Sequence, residues 1–134
     1  MPIKATPDHE LKIMKTVCSK KISLEDIEHY QYTVWMEPSV YGYNELFDFS
    51  DSDYSDISFA DLIHIAETAS KLYMIDPKSR FAFLTHNLQH QKIADFYIAT
   101  KALIKAPSRT IKSFKSYDEA MQWLTEDHRK DKNS

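Results

Sequence analysis

Apolar residues recur at two spacings along the chain, and the change from one to the other divides it into short strands and longer helices. Residues 3–6 and 11–19 read as strands separated by Pro7, Asp8, His9 and Glu10, which suit a hairpin-like turn. In the second run Leu11, Ile13 and Val17 share one face. Lys12, Met14 and Thr16 share the other, which is expected to be the more solvated. Ser23 then precedes LEDIEHYQYTVW, where Leu24, Ile27, Tyr30 and Val34 form a helical stripe. Asp26 makes an imperfect capping box with Ser23, Ile22 and Ile27 are placed for a hydrophobic staple, and Pro38 ends the helix.

The same logic continues downstream. Residues 45–49, ELFDF, form a short strand, followed by the polar turn SDSDYSDI, whose serines and aspartates can bond their own backbone. Ser58, with Asp61 three residues on, opens a second helix striped by Phe59, Leu62, Ala66, Ala69 and Tyr73, its wet face being Asp61, His64, Thr68 and Lys71. Asp76 and Pro77 stop it. Residues 80–85, RFAFLT, are the next strand, and Asn87 caps a long helix striped by Ile93, Phe96, Tyr97, Leu103 and Ile104 and closed by Pro107. Thr110–Phe114 is the last strand, and Ser116 with Glu119 is a capping box for YDEAMQWL, where Trp123 and Leu124 are core candidates. The order ββαβαβαβα needs crossover connections between its later strands. The expected fold class is therefore α/β, a mixed, mostly parallel five-stranded sheet with about four helices. One domain over residues 1–125 is expected, with a polar tail at 126–134 that frays.

Composition narrows the function classes. The 134 residues include one glycine, where average usage of about 7% would give roughly nine. Glycine-rich nucleotide cradles need two or three, so they are excluded. Gly42 is left to serve the turn into ELFDF, and the other sharp turns are expected to rely on Asp, Asn, Ser or Pro. Seventeen Lys and Arg against twenty Asp and Glu give a net charge of −3 without a basic block, so no nucleic-acid partner is expected. Cys18 stands alone, which precludes an internal disulfide and fits a buried structural thiol in a reducing compartment. No signal-peptide core or long apolar run is present, and a soluble, cytoplasmic, non-transmembrane protein is expected.

The strand-to-helix step KKISLEDIEHY, the strand YNELFDFSD, the helix opening DISFADLIHIAETA, the strand SRFAFLT and the closing IKSFKSYDEAMQWL together resemble the STAS, or SpoIIAA-like, domains. Within them the chain is similar to the branch of small uncharacterised bacterial proteins with that fold, over residues 3–124. The resemblance implies a non-enzymatic module for regulatory protein–protein interaction or small-ligand binding. The related CRAL-TRIO fold has a similar core and makes a lipid or acyl-ligand carrier the alternative. In anti-sigma-factor antagonists the family's phosphorylated serine lies in a D-S-S-G-like stretch at the start of a helix. Here that stretch is Asp56-Ile57-Ser58-Phe59, with Ile57 in place of one serine and Phe59 where glycine is expected. Ser58 is thus a formal phosphosite, and a helix cap on its ordinary reading.

Ligand or partner contacts are expected where strands end and helices begin, at Asp48, Ser50, Ser58, Thr85, His86 and Asn87. His86 and His90, four apart, could share a metal with Asp48 or Asp51, but the glutamate of HExxH is missing, so ordinary surface histidines are expected. Asp51, Asp53 and Asp56 resemble the start of a calcium loop. Asp56 stands at the required glycine and Leu62 at the bidentate glutamate, which favours a solvated turn. No metal or cofactor is therefore expected. Catalysis by His86 with Asp48 would need a substrate pocket. Seventeen aromatics, with Tyr30, Tyr32, Trp35, Tyr41 and Tyr43 clustered around the first helix and its exit, divide between core and an exposed patch, and the surplus suggests a homodimer.

Overall fold

Strand β1 (Ile3–Asp8) folds back antiparallel on β2 (Ile13–Cys18), with Ile3 opposite Cys18 and Asp8 opposite Ile13. The turn is held by Asp8 Oδ1, which accepts from the Leu11 amide at 3.0 Å. The computed structural model describes residues 2–72 and 75–126. After the hairpin come α1 (Leu24–Thr33), a 3₁₀ turn (Pro38–Val40), β3 (Asn44–Asp48), α2 (Phe59–Lys71), β4 (Arg80–Leu84), α3 (Leu88–Leu103), β5 (Thr110–Phe114) and α4 (Tyr117–Thr125). The strands lie in the sheet in chain order, and β2 to β5 are all parallel. The expected α/β class and element order are therefore found, with the 3₁₀ turn added.

Local chemistry sets the helix starts. Ser23 and Asp26 form both halves of a capping box at α1, as do Ser58 and Asp61 at α2. Asn87 accepts from the His90 amide at α3. At α4 Ser116 accepts from the Glu119 amide, while no return bond from Glu119 completes the box.

The sheet separates two apolar layers. Phe47, Phe49, Phe81 and Phe83 face α1, α2 and α3, and pack with Ile27, Tyr30, Leu62, Ile65, Ala94 and Tyr97. Ile13, Leu46, Ala82 and Leu84 face α4 through Ala120 and Leu124. Trp123 is half-buried beside Phe114. Among the described residues no helix is long and apolar enough to cross a membrane.

Several expected faces are reversed. On β2, Met14 and Thr16 are buried with Cys18, whereas Val17 is 44% exposed and Leu11 lies at the surface. Three helices cover one side of the sheet while α4 reaches only Ile13 on β2, so the deeper side wins. It accommodates Thr16 because that hydroxyl donates to Glu45 at 2.8 Å. On α2 the buried set includes Ile65 and Thr68, and Phe59 is 63% exposed, lying against Phe96 with ring centroids 4.6 Å apart. This helix contacts both α1 and α3, which widens its buried sector. On α3 the inward residues are His90, Ala94, Tyr97 and Lys101, while Leu103 is 84% exposed. Tyr73, expected in the α2 stripe, lies outside the described residues, as do residues 127–134 of the expected tail. Glu126, placed in that tail, instead accepts from Arg80 at 2.7 Å.

Gly42 has φ 82°, as the turn into β3 requires, but Lys12, Lys20 and Ser50 also take left-handed φ of 56°, 60° and 50°. Two lysines thus occupy conformations expected of Asp, Asn, Ser or Pro turns, at about 1 kcal/mol each. Around Lys20 the chain is pinned, since its carbonyl accepts from the Asp53 amide at 2.8 Å and the Asp53 carbonyl accepts from Ile22 at 2.9 Å.

Candidate functional site

The carboxyl ends of β3 and β4 are neighbours, with Asp48 opposite Leu84. Beyond Asp48 the chain turns away through Ser50, whose amide donates to Asp48 Oδ1 at 2.8 Å. Beyond Leu84, the Thr85 amide continues the ladder onto the Phe114 carbonyl at 2.9 Å. Its hydroxyl lies 3.2 Å from both that carbonyl and Gln91 Oε1. His86 follows, and its Nε2 meets Asp48 Oδ1 at 2.6 Å, with both side chains partly exposed. Asn87 then caps α3. These strand ends open into a cleft of about 440 Å³ lined by Thr85, His86, Asn87, Leu88, Gln91 and Lys115.

Five of the six expected residues, Asp48, Ser50, Thr85, His86 and Asn87, are therefore brought together at one end of the sheet. Ser58 is not joined to them: its hydroxyl accepts from the Asp61 amide at 3.0 Å and its own amide donates to Asp61 Oδ2 at 3.0 Å. The cap is the role its hydrogen bonds display. Ser58→Ala is expected to lower stability by about 1 kcal/mol and Ser58→Gly by only a few tenths, measured by chemical denaturation. Equal losses in the two variants would contradict the capping account.

His90 is not a surface histidine. It is fully buried and stacked on Phe49 with centroids 4.8 Å apart. Its Nδ1 accepts from the His86 amide at 3.2 Å, and its Nε2 lies 2.8 Å from the Ser52 carbonyl, which can only accept. Both nitrogens are committed to a neutral Nε2–H tautomer, so His86 and His90 do not converge on a metal. Among the described residues no three His, Cys, Asp or Glu side chains are placed to hold a metal ion. In the acidic turn, hydrogen bonds from Ser55 and Gln89 hold the Asp53 carboxyl below its ordinary pKa, and Asp56 lies 3.5 Å from Lys21.

Sequence reasoning missed a buried polar cluster. Glu45, 2% exposed, accepts from Thr16 at 2.8 Å, from Trp35 Nε1 at 2.9 Å, from Arg109 Nη1 at 3.2 Å and from the Tyr30 hydroxyl. The Arg109 guanidinium lies over the Trp35 and Phe81 rings, 4.7 and 4.6 Å from their centroids. Burial and the adjacent Glu45 charge push the Tyr30 hydroxyl well above its ordinary pKa, so it stays a donor. The available signal was an acidic residue directly ahead of the apolar pair Leu46 and Phe47 in a short strand. Of the clustered aromatics, Tyr30 and Trp35 belong to this network, Tyr43 bonds His9 at 2.8 Å, and Tyr32 and Tyr41 are exposed.

Between the sheet and α1 to α3 lies a wholly apolar cavity of about 50 Å³, lined among others by Ile27, Tyr30, Phe47, Phe81, Phe83 and Tyr97. A cavity of about 150 Å³ is what admits benzene. Cys18 lies nearby in the same core, and burial pushes its thiol up to about 12. It is expected to resist a disulfide reagent at pH 8 in the native protein and to react at once in denaturant. A folded pKa above the unfolded one adds stability that is fully present below about pH 8.5. That contribution is lost as the pH rises towards 12.

Neither a family model nor a curated protein matches the sequence. Among solved structures the chain is similar to an uncharacterised protein of the DUF3478 family, with a SpoIIAA-like fold, from Shewanella loihica PV-4. The TM-score is 0.54 at 18% sequence identity, over 91% of each chain. The chain has a SpoIIAA-like fold, and at that identity the likeness speaks for the fold alone.

Proposed function

We propose that this chain is a non-enzymatic SpoIIAA-like binding domain that receives an acidic group of a protein partner or small ligand at the carboxyl ends of β3 and β4. The observation that carries the reading is the open cleft of about 440 Å³ built on Thr85, His86 and Asn87, with Lys115 on its wall. Lys115 and the positive end of the α3 dipole favour negative charge there, and exposed Leu88 offers an apolar contact beside them. Binding is favoured over catalysis because His86 spends Nε2 on Asp48, and among the described residues no hydroxyl or thiol is hydrogen-bonded to His86. The Thr85 hydroxyl points instead to the Phe114 carbonyl and Gln91.

Carriage of a lipid or acyl chain has the apolar lining of the internal cavity in its favour, but at about 50 Å³ that space would have to grow several-fold. The cleft reading is tested by titrating a short poly-glutamate peptide into the isotope-labelled full chain and following backbone amide resonances. Saturable shifts at His86, Leu88, Gln91 and Lys115, reduced in Lys115→Ala, are expected. Shifts that bypass these residues, or that Lys115→Ala leaves unchanged, would overturn it.

A further inference from the structure

At the opposite end of the sheet, ahead of β4 and β5, a narrow groove of about 30 Å³ runs past Trp35, Leu72, Lys101, Ser108, Arg109 and Ile111. That is room for about two water-sized particles. Two cations stand in it. Lys101 is only 8% exposed, and its Nζ donates to Ser70 Oγ at 2.9 Å. The Ser70 hydroxyl in turn donates to the Ala66 carbonyl at 2.9 Å, so it brings no negative charge. No carboxylate among the described residues lies within ion-pair distance of Lys101. A buried ammonium with no counter-ion is costly, and such groups are ordinarily paired.

Arg109 is the second cation. Its side chain is 9% exposed and lies over the Trp35 and Phe81 rings, and among the described residues its guanidinium makes one hydrogen bond, from Nη1 to Glu45 at 3.2 Å. Nε and Nη2 keep their donors for an acceptor in the groove. Burial, and then the Arg109 charge, hold the Lys101 amine below its ordinary pKa, so the two cations are close enough to repel each other. Glu45 answers one of them, and the three groups sum to one positive charge.

We propose that this groove binds a single halide ion, chloride in ordinary solution, held between the Lys101 ammonium and the free N–H donors of Arg109. One negative charge balances the cluster and relieves the repulsion between its two cations. A halide is little larger than a water molecule and asks only for positive charge and N–H donors, which a narrow groove of mixed lining supplies. Sulfate or an organic acid has no room in it, and sulfate's second charge would overshoot the balance and face Glu45. The site lies at the far end of the sheet from the cleft at His86, so either can fail alone.

Sodium chloride is the probe. Exchanged for sodium gluconate at constant ionic strength in the full chain, chloride is expected to bind saturably with a Kd of about 10 mM. At about 100 mM it then raises the folding equilibrium constant about tenfold, read by denaturant unfolding. The side-chain nitrogen resonances of Lys101 Nζ and Arg109 Nε are expected to move with the same saturation in the unaltered protein, which locates the ion whether or not any variant folds. Lys101→Met, which removes the unpaired charge at similar volume, is expected to abolish the chloride response, while Lys4→Met, which removes an exposed charge from β1, retains it. No stabilisation by chloride over gluconate, shifts that bypass Lys101 and Arg109, or an equal response in Lys101→Met would overturn the site. Sulfate binding there as tightly as chloride would overturn the halide assignment.

Discussion

Glu45→Ala is expected to remove about 3–5 kcal/mol of folding stability, the largest loss of any single substitution of a polar residue in this chain. The carboxylate holds four donors from four parts of the fold, the Thr16 hydroxyl on β2, the Tyr30 hydroxyl on α1, Trp35 Nε1 beyond it and Arg109 ahead of β5. Removing it leaves the guanidinium buried without its counter-ion and the Thr16 and Tyr30 hydroxyls without this acceptor, while Trp35 Nε1 keeps the Tyr30 oxygen at 2.9 Å. Each orphaned donor adds a desolvation penalty of about 1–3 kcal/mol, offset in part where water can enter. In a domain of this size such a loss corresponds to a fall in melting temperature of roughly 10–20 °C. Glu45→Leu combined with Arg109→Met, which removes both charges at similar volume, is expected to recover much of the loss. Denaturant unfolding of the two variants measures both. A cost for Glu45→Ala of less than about 1 kcal/mol would show that water already reaches the pair.

Phe47→Ala is expected to cost about 3–5 kcal/mol through an enlarged cavity. The Phe47 ring lies 5.5–5.8 Å from those of Tyr30, Phe49, Phe81 and Phe83, and it already borders the space of about 50 Å³ beneath α1 to α3. Without it the two volumes merge into a chamber of the order that accepts benzene, about 150 Å³. Benzene should therefore raise the melting temperature of Phe47→Ala and leave that of the unaltered protein unchanged, since only the variant has room for it. A loss without benzene rescue would mean that the aromatic layer collapses into the gap.

These two residues also mark where the sequence could be read and where it could not. Helix starts were legible because a cap is a local bond: Ser23 to Asp26 and Ser58 to Asp61 span three residues. The strand ends were legible too, and they anticipate Thr85, His86 and Asn87, half of the residues lining the cleft, because parallel strands must deliver Asp48 and His86 to one end of the sheet. The pairing of those two, 38 positions apart, and the arrival of Lys115 from β5 depend on register, which only the folded sheet supplies. Glu45 was opaque because its partners Trp35, Tyr30, Thr16 and Arg109 lie 10, 15, 29 and 64 positions away. His90 was read as a surface histidine because polarity usually means solvent, and Lys101 stood outside the apolar stripe expected of α3. Both are buried with polar partners, the Ser52 carbonyl and Ser70 Oγ, that no periodicity records.

Strands laid down in chain order have a consequence for synthesis. Each strand that leaves the ribosome finds its neighbour already present, so the sheet can extend by one edge at a time without waiting for a distant partner. The helices between strands close the first face during the same progression. The second face has no such helper, since Ile13, Leu46, Ala82 and Leu84 stay bare until α4 emerges to supply Ala120 and Leu124. A nascent chain paused before α4 would therefore present a greasy, half-clad sheet to the translating cell, the interval in which a chaperone has most to shield.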